Sequence, residues 1–247
     1  MFGLFGDDIS GYNKEEIEKK LTSTLNELLA EIGKIVTTDL KAGLVDPIST
    51  KWYAKEAQDY FNDVVAPHVY NSGIAIRGLL QDFSDAIEKS GQRWSLRTGN
   101  EAPKLGEINS IGSSFKLDVS AIQKTAEGGA AVLYEKDVND IATGLTKVED
   151  QINDEIKALG NKMDASTSFL GHGQAEALKG CLDKIIAEIH KMFQSFLSDG
   201  ETSIATQLQK FKEKYATAAK AEKQMWDNTE VTITQETPSG AAPVTTE

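Results

Sequence analysis

The sequence predicts an all-α fold, an elongated helical bundle made of two tandem antiparallel helical hairpins. Three observations predict it. Apolar residues recur at gaps of three and four over four long stretches, the period of one helix face. Proline is scarce, with 5 in 247 residues, while 40 % of the residues are hydrophobic, enough to form a core under those stripes. Long alternating runs of β-branched residues, which would favour sheet, are missing.

The first helix opens at Asn13, a good N-cap, with Glu15 and Glu16 in the first turn, where acids suit the helix dipole. Ile17, Leu21, Leu25, Leu28, Ile32 and Ile35 draw its apolar stripe, and Lys41 and Gly43 mark its end. The run from Gly43 to Thr50, GLVDPIST, reads as a loop with Asp46-Pro47 as turn former, and Ser49 or Thr50 as the next N-cap. A second helix carries Ala57, Phe61, Val65, Val69, Ile76, Leu80, Phe83, Ile87 and Trp94 on one face. Pro67 removes a hydrogen bond inside it, which predicts a bend near Ala66 to Gly73.

Residues 100–129 change character, punctuated by Pro103, Gly106, Gly112, Gly128 and Gly129. They read as a linker packed against the helices, with a short extended piece where Phe115, Leu117 and Val119 alternate. The third helix, from about Ala130 to Leu159, repeats Val138, Ile141, Leu145, Val148, Ile152, Ile156 and Leu159. That seam resembles a coiled coil, but beside other long helices it reads as bundle core. The fourth carries Leu178, Leu182, Ile185, Ile189, Met192 and Phe196, is interrupted at Asp199-Gly200, and resumes with Ile204, Leu208, Phe211 and Tyr215. The expected organisation is a first hairpin over 1–99, a linker over 100–129, a second hairpin over 130–227 and a disordered tail over 228–247. The tail has no periodicity and no basic residue.

The formal net charge of -12 and a pI near 4.8 set the chain against nucleic acid and anionic lipid, so no nucleic-acid partner is expected. No apolar run approaches the roughly 20 residues of a membrane span, so no transmembrane segment is expected either. The start, MFGLFGDDISGY, lacks a basic region and a long enough apolar stretch for a signal peptide. The expectation is synthesis in the cytoplasm, with any export independent of a cleavable signal. Phe2, Leu4 and Phe5 read as a frayed terminus, the alternative being docking to a partner or membrane.

Catalytic patterns are missing. His68, His172 and His190 form no His-x-x-x-His pair, and no phosphate loop, dinucleotide fingerprint or nucleophile elbow occurs. Cys181 sits among Leu178, Leu182 and Ile185, which predicts buried packing. Glu149, Asp150, Asp154 and Glu155 read as a solvated face. No enzyme activity, catalytic residue, cofactor or metal is expected. The chain is expected to bind a protein partner, or itself, through helical faces.

The two halves align with each other. Ser49-Thr50-Lys51-Trp52-Tyr53-Ala54 matches Ser166-Thr167-Ser168-Phe169-Leu170-Gly171, and in the same register Trp94 meets Phe211 and Val65 meets Leu182. Apolar matches alone follow from sliding any two amphipathic helices into register. The shared Ser-Thr-x-aromatic-x-small turn, falling between both helix pairs, points to a duplication. The residues singled out are the hairpin-turn or interface positions Trp52, Ala54, Phe169, Gly171, Trp94 and Phe211. Trp52 is placed to fix how the first helix meets the second, and Trp94 to pack the far end of the hairpin near Ile17.

A helical hairpin with an aromatic-x-small step at its turn resembles the Trp-x-Gly hairpin superfamily, the small substrates of type VII (ESX) secretion in bacteria. The runs KWYAKEAQDYF and SGQRWSLRTG look like the Trp-containing helix of Gram-positive members. The resemblance implies antiparallel hairpins that pair into four-helix bundles, here joined in one chain, and a role as a secretion substrate or its partner. The sequence departs from the family pattern: Trp52-Tyr53-Ala54 and Phe169-Leu170-Gly171 stand where Trp-x-Gly is expected. The family's C-terminal Tyr-x-x-x-acid signal is also missing, since Tyr215 is followed by Ala219, and the nearest substitute is Trp226 with Glu230. The alternative function is a structural or assembly protein of a phage or phage-like particle. A pore-forming toxin fits poorly, because AEGGAAVLY is too short to enter a membrane.

Overall fold

A computed structural model describes residues 14–129, 132–133, 135–165 and 172–229. The chain is an all-α helical bundle. Helix α1 (Lys14–Lys34) runs on through two π-helical turns, Ile35–Asp39 and Lys41–Val45, into α2 (Asp46–Lys51). A two-residue strand β1 (Trp52–Tyr53) breaks the helix. Then α3 (Lys55–Tyr60), a third π-turn (Phe61–Val65) and α4 (Ala66–Thr98) form a second continuous helical stretch. Strand β2 (Val132–Leu133) precedes α5 (Glu135–Ala165), α6 (His172–Leu197) and α7 (Ile204–Asp227). The expected N-cap Asn13 and the tail beyond Thr229 lie outside the described residues.

The expected stripes form the core. Ile17 through Ile32 on α1 with Ile35 on the first π-turn, Phe61 through Ile87 on the third π-turn and α4, Val138 through Ile156 on α5, and Leu182 through Phe196 on α6 are all buried, apart from the half-buried Met192. With Leu208 and the buried residues between α4 and β2, nearly all of them join one hydrophobic cluster that runs through both halves of the chain.

The segment from Gly43 to Thr50 corrects the loop reading: it is helical. Pro47 lies in the first turn of α2, where a missing N–H costs little. The π-turn before it closes with Asp46 N–H bonded to the Lys41 carbonyl, so the wider turn absorbs the bond that Pro47 cannot make. Gly43 serves helix packing instead of a turn, because a Cβ there would lie 2.3 Å from Val148 Cγ2 on α5. The hydroxyls of Ser49 and Thr50 fold back onto the carbonyls of Asp46 (2.7 Å) and Pro47 (3.0 Å), and Ala54 holds the N-cap position of α3. Pro67 repeats the device. The π-turn Phe61–Val65 ends two residues before it, with Ala66 N–H on the Phe61 carbonyl, so the irregularity precedes the proline.

Cys181 is exposed, contrary to the buried reading. At about 100° per residue it lies a full step around the helix from Leu182, on the flank of the face that Leu182, Ile189 and Phe193 turn to the core. Proximity in sequence to a stripe is not membership of it. The interruption at Asp199-Gly200 separates α6 from α7, and Ser203 caps α7 by accepting the Thr206 N–H at 3.3 Å.

Residues 101–122 form an extended strap lying on both α1 and α4. Its alternation is real: Phe115, Leu117 and Val119 are buried while Lys116 and Asp118 face out. Among the described residues no strand pairs with it. Side chains satisfy its backbone instead. Glu18, Thr22 and Asn26, at every fourth position of α1, accept the N–H groups of Lys104, Gly106 and Asn109 at 2.8, 3.1 and 2.7 Å. From α4, Glu88 and Gln81 accept from Leu105 (3.1 Å) and Ile108 (2.8 Å), and the Arg77 guanidinium donates to the Ile108 and Asn109 carbonyls at 2.9 to 3.2 Å. Backbone groups laid on helices without a ladder partner require such side chains.

Candidate interaction site

The Trp52-Tyr53-Ala54 step is where two helical stretches and two distant parts of the chain meet. Trp52 (φ -129°, ψ 98°) and Ala54 (φ -154°, ψ 147°) are extended, so the chain leaves α2 and re-enters helix within three residues. The extended backbone pairs antiparallel with β2, Trp52 opposite Leu133 and Tyr53 opposite Val132. Nearby, Lys51 Nζ meets Asp140 of α5 at 2.9 Å.

Trp52 and Ala54 are buried. The indole meets the ring of Phe211 on α7 edge to face, with centroids 4.8 Å apart and planes at 66°. That geometry places the positive edge of one ring against the negative face of the other. Among the described residues Trp52 Nε1 meets no hydrogen-bond partner. An unmet buried donor costs about 1–3 kcal/mol, so the apolar packing of the ring must outweigh it. The small side chain of Ala54 fits the N-cap position, and its carbonyl accepts the Gln58 N–H at 3.1 Å.

Two polar contacts continue the docking of α7 along α3. Lys214 Nζ meets Glu56 Oε1 at 2.6 Å, and Tyr60 Oη donates to the Thr202 carbonyl at 2.7 Å. The Lys214 ammonium holds the Glu56 carboxyl below its ordinary range, and burial raises the Tyr60 phenol.

Of the six residues singled out in the sequence, the structure brings together Trp52, Ala54 and Phe211. Trp94 lies elsewhere, half-buried four residues before the end of α4, where its carbonyl accepts from Thr98 Oγ1 at 3.0 Å. The alignment that equates Trp94 with Phe211 therefore matches residues in different surroundings. Phe169 and Gly171 lie outside the described residues. The sequence reading missed Glu56, Tyr60 and Lys214, which lie off the apolar stripes; no local pattern announces a contact spanning 142 or 158 residues.

An open groove of about 940 Å³ lies between the start of α4 and the strap, lined by Asn62, Ala66, Tyr70, Ser113, Leu117 and Val119. Val64, Tyr70 and Ile74 are exposed large hydrophobics on this part of the helix. Among the described residues no three His, Cys, Asp or Glu side chains gather as a metal site needs, and no helix is long and apolar enough to cross a membrane. His68 packs its ring against Phe196, with centroids 5.6 Å apart. Compared with known proteins, the chain matches no family model, no curated protein and no solved structure.

Proposed function

We propose that this protein acts without catalysis, by binding other proteins through its helical faces, in the manner of type VII secretion substrates or their partners. In this reading the stretch from α1 to α2 and the stretch from α3 to α4 are the arms of a first hairpin. Helix α5 with α6 and α7 makes the second. One observation carries the reading: a three-residue aromatic-x-small step, Trp52 to Ala54, joins two long helical stretches and places its aromatic ring in the core. A step of that kind holds the hairpin closed and leaves the outer helix faces for partners. The exposed Tyr70 on the groove between α4 and the strap, with Val64 and Ile74 exposed on the same helical stretch, is the sort of surface a partner helix covers.

The test is export from a Gram-positive host with an active type VII system. The reading expects the chain in the culture medium, lost when the secretion ATPase is deleted and unaffected by blocking the signal-peptide pathway. Retention in the cells whether or not the ATPase is present overturns the secretion part of the reading.

A further inference from the structure

Helix α7 outruns the bundle. Its inner face is built from Ile204, Leu208, Phe211 and Tyr215, which are buried or half-buried against the rest of the molecule. The same face continues at helical spacing through Ala219, Glu222 and Trp226, with Met225 beside it. Yet every residue from 216 to 229 is exposed. Ala216 and Ala219 still border Leu133 and Val138, and the last two turns from Lys220, roughly 12 Å of helix, stand clear of the bundle, ending in Met225 at 57 % and Trp226 at 64 % exposure. An exposed Trp-Met pair on the extension of a packing face is what remains when a packing partner is missing.

Charge identifies the partner. Lys210, Lys212, Lys214, Lys220 and Lys223 outnumber Glu213, Glu222 and Asp227, so α7 is net positive on a chain of net charge -12. Helix α5 is the reverse: Asp137, Asp140, Glu149, Asp150, Asp154 and Glu155 dominate its lysines. Between α5 and the first π-turn lies a small pocket of about 190 Å³, bounded by Ile35, Ile152, Asp39, Asp154 and Glu155. Its apolar residues are buried isoleucines and its rim is acidic. It offers an apolar side chain flanked by lysines both of the contacts it needs.

We propose that the projecting end of α7 docks on a second copy of this chain, with Trp226 seated between Ile35 and Ile152 and with Lys220 and Lys223 facing Asp39, Asp154 and Glu155. The net repulsion between two acidic copies acts over long range and is screened beyond about 8 Å at physiological ionic strength. The lysine–carboxylate pairs act at contact and survive it. The contact joins two different patches, so copies add head to tail unless the docking is reciprocal. This deepens the interaction reading above by naming one partner. It rests on binding through helical faces and not on export, so an export failure leaves it standing.

The experiment is sedimentation velocity on the full chain over a rising concentration series at physiological salt. Three variants accompany it: Trp226→Ala, the pair Lys220→Glu with Lys223→Glu, and the pair Asp154→Lys with Glu155→Lys. The wild type is expected to show concentration-dependent association that each variant weakens at least tenfold. All changed residues are on the exposed surface, and an unchanged circular dichroism spectrum confirms that the variants fold. Mixing the two charge-reversed variants is expected to restore association, now between unlike chains. A wild type that stays monomeric throughout overturns the proposal. So do variants that associate like the wild type, or a mixture that fails to recover. Loss of some other protein's binding on Trp226→Ala, with self-association unmoved, assigns the α7 end to a different partner and equally overturns it.

Discussion

At the scale of single residues, the fold depends on positions where a side chain or its absence is matched to a neighbour. Gly73 on α4 is one. A Cβ there would sit 2.3 Å from Cγ of Phe115, the fully buried aromatic of the strap. Gly73→Ala should therefore destabilise the protein by about 1–3 kcal/mol through overpacking, despite alanine's better helix propensity. Chemical denaturation measures this, and a gain in stability would show that Phe115 moves aside freely. Gly73 was legible only as a break in a helical pattern, because the residue pressing on it lies 42 positions away. Trp52 was legible as a residue holding the turn, since it interrupts a stripe between two helices. Its contact with Phe211 was not, because the alignment of the two halves matched Phe211 to Trp94. Cys181 shows the opposite error, in which a neighbour of apolar residues was taken for a member of their face.

At the scale of elements, helices were legible and the segments between them were not. Stripe periodicity reports which face is buried, and that held for α1, α4, α5, α6 and the start of α7. Proline was read as a turn former at Pro47 and as the cause of a bend at Pro67. In both places a π-turn immediately before the proline lets the helix absorb it. The strap is held by polar side chains on two helices, a pattern that hydrophobic periodicity does not register. Arg77 is its strongest single tie, with a charged donor on two carbonyls, one of them part-buried. Arg77→Ala should cost about 1.5–3 kcal/mol, the range for hydrogen bonds to charged groups, and should raise amide exchange at Ile108, whose N–H is held by Gln81 in the same stretch. Unchanged exchange there would mean that apolar packing alone holds the strap. The docking of α7 on α3 carries a pH signature. Lys214 lowers the Glu56 pKa in the folded state. Its contribution is present above the unfolded carboxylate range, near pH 4.3, and is lost as pH falls through the lowered folded value. A small loss of stability below about pH 4, reduced in Glu56→Gln, is expected from thermal melts. Because the pair is largely exposed, it should also shrink in high salt.

At the scale of the whole molecule, the sequence supports two hairpins and a linker, while the structure shows one hydrophobic cluster running through all of them. Residues from α1, α4, the strap, α5, α6 and α7 contribute to it. The step at Trp52 is where these parts meet, through β2, α3 and α7. This predicts cooperative unfolding, with tryptophan fluorescence and helix content lost together.

The proposed function makes Trp52 the lock of the fold and leaves recognition to the outer helix faces. Urea unfolding of Trp52→Ala, followed by circular dichroism at 222 nm, tests it most directly. The burial of Trp52 and its contact with Phe211 predict a loss of about 3–5 kcal/mol, as for other large aromatics removed from cores, in a protein that remains helical. A variant with the stability of the wild type that has lost a protein partner would contradict the claim and make the Trp52 step a recognition element.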